Sequence, residues 1–193
     1  SRVMKNFKIK KAALMLTALM FAGGVAAKAT PVDTRFDLGY GYTKTTFYDG
    51  EGFYADYRYQ LLRDVILTGH YTKVDDDDLE ADGTRIGASI EKVWSYNPYT
   101  DIGIEVSYTH DDLSGNGYDE TRGIVGLGVG YHSFVGAWRF DGSVSINDAE
   151  VEDTFVEGEF RATYFLGKNF GLTLQVVGGE IQNAARLGMT YQF

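Results

Sequence analysis

The feature that most constrains the fold is a residue pattern of period two that recurs along most of the chain. Its last occurrence, residues 187–193, puts large apolar residues at odd positions and small or polar residues at even ones. Neighbouring side chains of a β-strand point to opposite faces, so this alternation predicts a strand with one apolar and one polar environment. A soluble sandwich and a membrane barrel both contain such strands. The number of repeats and the destination of the chain therefore have to separate the two.

The N-terminal segment indicates export. Four lysines lie between Lys5 and Lys11, residues 12–27 are almost entirely apolar, and Ala27, Lys28 and Ala29 form an A-x-A cleavage site. This order of features is typical of a secretory signal peptide, and the apolar stretch of about 16 residues is short for a membrane-spanning helix. We expect a signal peptide over residues 1–29, cleavage after Ala29, and one mature domain over residues 30–193.

Charge and cysteine content exclude several classes of function. Removing residues 1–29 takes away Arg2 and five lysines, which moves the formal net charge from −9 to −15 over 164 residues. So acidic a chain is not expected to bind nucleic acid, because phosphate binding needs clusters of Lys and Arg. The chain has no cysteine. Disulfides, thiol catalysis and cysteine-based metal sites are therefore absent, and no cofactor motif is recognised.

Ten segments carry the alternation, and each is about nine to twelve residues long, the length that a tilted strand needs to cross hydrocarbon. The predicted strands are residues 35–46, 53–61, 65–73, 84–94, 101–110, 122–132, 137–146, 154–165, 170–178 and 185–193.

The connections between these segments differ at the two ends. Those near Asp49 and at residues 75–82, 111–120, 147–153 and 179–183 are mostly acidic or polar, and those at the other end are generally shorter. Outer-membrane barrels have long outer loops and short periplasmic turns, and an even strand number places both termini in the periplasm. We therefore predict an all-β fold, a transmembrane antiparallel up-and-down β-barrel of ten strands. Eight strands are the alternative if region 122–146 or the last hairpin is misassigned.

A soluble β-sandwich would need almost every apolar face to enter one shared core, whereas lipid accommodates ten faces rich in Tyr and Trp. In a barrel the polar faces point inwards, where charges must pair. The predicted lumen charge network is Asp37, Asp56, Arg58, Arg85, Glu91, Glu105, Arg139, Asp141, Glu157, Glu159, Arg161 and Arg186. The predicted aromatic girdle at the periplasmic interface is Tyr59, Trp94, Tyr131, Trp138, Tyr164, Tyr191 and Phe193.

The chain resembles the small outer-membrane β-barrel proteins of Gram-negative bacteria, the OmpA, OmpX and opacity-protein class. The signal peptide, the repeated alternating strands and the C-terminal Leu187, Met189, Tyr191 and Phe193 carry the resemblance, which is one of architecture over the whole mature chain. It implies a monomer integral to the outer membrane, surrounded by lipid and lipopolysaccharide. It also implies that the barrel assembly machinery recognises the last strand.

The acidic run at residues 75–82 has two interpretations. It is a solvated loop, or Asp75, Asp76, Asp77, Asp78 and Asp82 supply oxygen ligands to a divalent cation, although no Glu closes a complete calcium loop. No metal site is predicted from the spacing.

An enzyme needs a base at the barrel rim. His110 beside Asp111 and Asp112 is the candidate for an omptin-like protease, but the omptin Asp-x-His order is missing. His70 and His132 are expected on lumen faces as hydrogen-bonded structural residues.

The sequence thus favours a protein without enzymatic activity that has a structural or surface-interaction role, with at most a small cation-preferring pore. Adhesion would depend on residues 111–120 and 147–153, and permeability on Arg58, Arg139 and the lumen acids. An outer-membrane enzyme such as an omptin-like protease is the alternative.

Deleting Phe193 is expected to lower the amount of folded protein in the membrane, because the terminal aromatic is the predicted assembly signal. Quantifying heat-modifiable protein in outer-membrane fractions measures this. Normal levels of the deletion variant would contradict the membrane-barrel assignment.

Overall fold

A computed structural model describes residues 34–150 and 153–193. The predicted signal peptide lies outside the described residues. The described chain forms ten strands: β1 (Arg35–Thr45), β2 (Asp49–Leu62), β3 (Val65–Asp76), β4 (Ala81–Asn97), β5 (Thr100–Gly115), β6 (Tyr118–Val135), β7 (Trp138–Ala149), β8 (Phe155–Phe165), β9 (Phe170–Gly179) and β10 (Gln182–Gln192).

Every strand pairs antiparallel with its neighbours in sequence, and β1 pairs with β10 to close the ring. The closing register sets Leu38 opposite Met189 and Gly39 opposite Gly188. The prediction of a ten-strand antiparallel up-and-down barrel is confirmed, and the eight-strand alternative is wrong. No helix in residues 34–150 and 153–193 is long and apolar enough to cross a membrane.

The two ends of the barrel differ, and we name them by the chain. The terminal end carries residues 34 and 193 and the connections after even-numbered strands. The distal end carries the connections after odd-numbered strands. The alternation predicted from the sequence sets the faces: large apolar side chains are exposed on the outside, and charged and small residues fill the inside. Residues 187, 189, 191 and 193 point outwards, while Gly188 and Thr190 point inwards.

The predicted loop boundaries at the distal end are wrong. Residues 75–82 and 111–120 were expected to be loops, but β3 runs to Asp76, β4 begins at Ala81, and β5 and β6 are separated by residues 116 and 117 alone. Backbone pairing continues through these polar residues because strand pairing does not require apolar side chains. As a result β4, β5 and β6 reach 17, 16 and 18 residues, and the distal connections are not consistently longer than the terminal ones.

Glycines allow one large side chain to lie inside the ring. A Cβ on Gly39 would come within 2.5 Å of the Tyr54 ring and 2.3 Å of the Leu187 carbonyl oxygen, and a Cβ on Gly188 within 2.5 Å of the Tyr54 hydroxyl. Tyr54 is fully buried at this point. The paired glycines therefore form the floor on which the Tyr54 ring rests across the β1–β10 closure.

Replacing Gly39 by Ala is expected to destabilise the barrel by about 1–3 kcal/mol, because the added methyl group overpacks the interior. The measurement is the urea midpoint of refolded protein. Gly178→Ala is the matched control, since a Cβ there meets nothing within 4 Å. Equal midpoints for the two variants would contradict the packing of Tyr54 on this seam.

Candidate functional site: the barrel interior

The interior contains a cavity of about 180 Å³, with room for several water molecules. Its wall includes six carboxylates, five arginines and two histidines. These are Asp56, Glu91, Glu105, Asp141, Glu157 and Glu159, with Arg35, Arg58, Arg85, Arg161, Arg186, His70 and His132.

The structure places all twelve residues of the predicted lumen network on the inner face, where they are buried or half-buried. Five further buried charges of the inner face were missed: Arg35, Asp76, Asp101, Asp111 and Arg122. Arg35, Asp101 and Arg122 are the first residues of predicted strands, whereas Asp76 and Asp111 fall in segments predicted as loops. Applying the period-two pattern to the first residue of each strand, and extending it beyond residues 73 and 110, would have found them.

At the terminal end, charges converge on Asp141. Arg35 Nη1 donates to Asp141 Oδ2 at 2.8 Å, and Arg139 Nη2 donates to Oδ1 at 3.0 Å. His132 bridges this carboxylate to another, with Nδ1 2.7 Å from Asp141 Oδ1 and Nε2 2.8 Å from Glu91 Oε1. Arg58 Nη2 donates to Glu91 Oε2 at 2.8 Å. The result is a continuous hydrogen-bonded network of arginines, carboxylates and His132 across the barrel near its terminal end.

Two glycines make room for this crossing. A Cβ on Gly103 would lie 2.1 Å from Glu91 Oε1, and one on Gly130 would lie 2.3 Å from the same oxygen. Glu91 therefore extends over two neighbouring strands that present no side chain there, which brings its carboxylate to His132.

A second group surrounds Arg161. Its guanidinium donates short hydrogen bonds to Asp37 and Asp56 and a third, at 3.1 Å, to Glu159 Oε1. Asp37 also accepts from the Thr190 hydroxyl, which is linked through Thr173 to Thr163. One arginine thus binds three carboxylates from three strands, in surroundings where an unpaired charge would be costly.

A third group lies towards the distal end. The Asp111 carboxylate, fully buried, accepts from Arg85 Nε at 2.6 Å and Arg85 Nη2 at 2.8 Å. Arg122 Nε donates to Asp111 Oδ2 at 2.8 Å, and Arg122 Nη1 donates to the Thr46 hydroxyl at 2.6 Å. Asp111 thereby holds two arginines in place just below the distal mouth.

The structure does not assemble the acidic run into a cation site. Asp76 points inwards, and its carboxylate accepts from the backbone N–H groups of Asp49, Asp78 and Leu79. Asp82 pairs with Lys73 at 2.9 Å. Within the described ranges, no group of three or more His, Cys, Asp or Glu side chains is placed to hold a metal ion. Strand geometry explains this, because successive residues of β3, such as Asp75 and Asp76, point to opposite faces of the sheet.

Of the residues considered for a protease, Asp111 points into the lumen, whereas His110 and Asp112, its neighbours in β5, point to the outside. His70 and His132 both line the cavity.

The predicted girdle residues all lie on the outer surface towards the terminal end: Tyr59, Trp94, Tyr131, Trp138, Tyr164, Tyr191 and Phe193. Some contact one another, with ring centroids 4.9 Å apart for Trp138 and Tyr164 and 5.0 Å for Tyr191 and Phe193. Their contact with the membrane interface stays a prediction.

No family model matches the chain, and no curated protein matches it. Solved structures with a similar fold include the KdgM porin, at 13% identity over 81% of this chain and 99% of that one, with a TM-score of 0.45. The NanC porin is 11% identical over 82% and 100%, with a TM-score of 0.49. Ail, the attachment invasion locus protein of Yersinia pestis, is 16% identical over 85% and 100%, with a TM-score of 0.41. Similarity at this level identifies neither a family nor a function.

The chain's own geometry identifies its setting. A closed ring leaves no unpaired sheet edge along the span, the outer surface is covered by exposed apolar and aromatic side chains, and the buried charges face the lumen. This distribution of side chains is the reverse of that in a soluble protein and suits a bilayer, where exposed apolar side chains contact hydrocarbon. The chain is an integral outer-membrane β-barrel.

Replacing Arg161 by Met is expected to lower the free energy of unfolding by about 3–5 kcal/mol, because it leaves buried carboxylates without their shared cation. Urea unfolding in detergent or bilayers measures the change. Lys44→Met is the matched control, since the Lys44–Asp49 pair is exposed and its loss should leave the midpoint unchanged. An equally small effect of both variants would contradict the importance of the interior ion pairs.

Proposed function

We propose that this protein is a monomeric outer-membrane barrel with a structural or surface-interaction role, and that it conducts at most small cations. The observation that carries the proposal is the packing of the interior. Arginines and carboxylates from facing strands bind one another across the lumen, so side chains occupy the space through which a solute would have to pass.

The side chains at both ends of the barrel interior support the proposal of low permeability. At the terminal end, Arg139 is buried against Asp141 and its guanidinium lies 4.7 Å from the centroid of the Phe134 ring. At the distal end, Arg122 is buried against Asp111, and its guanidinium lies 4.2 Å from the centroid of the Phe47 ring. Each end is thus narrowed by an arginine held between a carboxylate and an aromatic ring.

The balance of charge supports a preference for cations. Six carboxylates face five arginines in the cavity wall. Glu105 accepts a hydrogen bond from the Ser89 hydroxyl at 2.8 Å, and it lines the cavity together with Glu157. Any ion that enters therefore meets a surplus of negative charge.

The distal extension supports a surface-interaction role. β5 and β6 continue to Gly115 and Tyr118, while the pairing of β6 with β7 begins at Ile124. The hairpin tip therefore extends beyond the paired part of β7, while on its other side β5 stays paired with β4 as far as Ser114. With the termini in the periplasm, this tip faces the cell exterior, and the apolar outer surface lies against lipid and lipopolysaccharide.

Planar bilayers containing refolded protein are expected to show little conductance, with a preference for cations in the openings that occur. In a salt gradient, the combined variant Glu105→Gln and Glu157→Gln should shift the reversal potential towards zero, because it removes charge from the cavity wall.

Glu51→Gln is the matched control, since Glu51 points to the outside of β2. Large, stable, anion-selective channels in the parent protein would overturn the proposal, as would equal reversal potentials for the interior and exterior variants.

A further inference from the structure

The turn between β1 and β2, residues 46–48, folds into the distal mouth of the barrel. Tyr48 is only 2% exposed and packs with Val74, Ala81 and Leu113 in an apolar cluster, against which Phe47 and Leu79 are also packed. These residues come from β3, β4 and β5 and from the connections beside them. An apolar cluster inside an otherwise polar lumen marks this turn as a lid over that side of the mouth.

The turn has a defined conformation on its own side of the barrel. The Tyr48 and Phe47 N–H groups both donate to the Thr45 hydroxyl at 3.0 Å, and the Thr45 N–H donates to the Tyr48 carbonyl at 2.7 Å. The Thr46 N–H donates to the Ile181 carbonyl at 3.2 Å. The aromatic pair is therefore held over the mouth by local hydrogen bonds.

The turn also reaches the opposite wall. In a ring of ten strands, β6 lies five places from β1 and is therefore diametrically opposed to it. Arg122 of β6 nevertheless donates to the Thr46 hydroxyl at 2.6 Å, and its guanidinium lies over the Phe47 ring. Asp111 fixes Arg122 from below. Contacts from one turn thus bridge the whole diameter of the mouth.

A second apolar cluster fills the other half. Ile124, Ala149, Phe155 and Ile181 are buried together, and Ile124 and Phe155 also line the cavity. This cluster is therefore the roof of the cavity on its side. Together the two clusters occupy the distal mouth above the polar cavity.

The barrel wall is shaped to receive the lid. A Cβ on Gly83 would lie 2.3 Å from the Tyr48 ring, so the ring occupies the space that a side chain of β4 would otherwise fill. Burial raises the pKa of Tyr48 to about 12, because a phenolate would lose its hydration there. Thr46, Phe47 and Tyr48 therefore present no charge to the mouth at physiological pH.

We propose that residues 46–48 are a releasable latch that closes the cavity from the distal side. Its contacts with β3, β4, β5 and β6 are made by side chains, so they can break without disrupting a strand pair. Releasing the latch would widen the distal mouth above the cavity, because Arg122 would lose its contacts with Thr46 and Phe47, while the seal of Arg139 and Phe134 at the terminal end stays in place. The barrel interior is then sealed at the terminal end and gated at the distal end by residues 46–48. This inference rests on the barrel and not on its role in the envelope.

Cysteine accessibility tests the latch directly, because the chain contains no cysteine. Ser107→Cys places a thiol in the cavity wall. In intact cells, a membrane-impermeant maleimide is expected to label it at least tenfold faster when Phe47→Ala and Tyr48→Ala are also present. Phe47→Ala alone is the milder variant should the combination fail to fold, and it should give a smaller increase in the same direction.

The combination Phe53→Ala and Tyr57→Ala is the matched control, because it removes two aromatic residues from the outer face of β2. Ser107→Cys should stay protected there. Equal labelling of Ser107→Cys with and without the latch residues, in barrels shown to be folded by heat modifiability, would overturn the latch.

Ser114→Cys at the distal end should be labelled in every background and Lys168→Cys at the terminal end in none. The reverse result for these two sites would overturn the proposed orientation in the membrane while leaving the lid's geometry intact.

Discussion

The pairing of β1 with β10 is the interaction on which the rest of the structure depends. Hydrocarbon offers no hydrogen-bond partner to a backbone N–H or C=O group, so a sheet survives in a membrane only when its first and last strands are joined. Here that seam runs from Arg35 opposite Gln192 to Thr45 opposite Gln182 without a break. Once the ring is closed, every strand has one face towards lipid and one towards the lumen, and the alternation along the chain becomes obligatory.

Closure also determines the electrostatics. A narrow ring brings the inner faces of distant strands together, so Arg161 of β8 meets Asp37 of β1, and Arg35 of β1 meets Asp141 of β7. Buried charges are tolerated only when they are paired and hydrogen-bonded. Glycines at positions such as 103 and 130 make the pairing geometrically possible, because they leave space through which a long side chain such as that of Glu91 can cross. The ion pairs that stabilise the interior also occupy the space through which a solute would pass.

The two ends of this interior are chemically alike and structurally different. Each has an arginine between a carboxylate and a phenyl ring, but at the terminal end the ring belongs to β6, whereas at the distal end it belongs to the turn between β1 and β2. A side chain carried by a strand moves little without disturbing the sheet. The contacts of the turn with β3, β4, β5 and β6 are made by side chains and can break without disturbing a strand pair, which is why the distal closure is the one we propose to open.

Much of this could be predicted from the sequence, and the failures have physical reasons. Period-two alternation predicted the strand number and the face of each lumen charge, because it reports directly on which medium a residue meets. It failed where polar residues follow one another: residues 111–112 of β5 and 119–121 of β6 are polar on both faces, so they resembled loops although they are paired strands. The sequence pattern did not predict that Phe47 and Tyr48 fold into the barrel, since aromatic residues beside the turn residues Asp49 and Gly50 are also expected at a membrane interface. The contact between Arg122 and Thr46 depends on ring closure, which no local pattern reveals.

A disulfide across the closing seam tests the central claim most directly. In a chain without native cysteine, Leu38→Cys combined with Met189→Cys should oxidise readily and give a cross-linked barrel, because these positions are opposite each other in β1 and β10. Leu38→Cys combined with Leu187→Cys is displaced by two residues and should not. Efficient cross-linking of the displaced pair, or of neither pair in folded protein, would contradict the closure on which the structure rests.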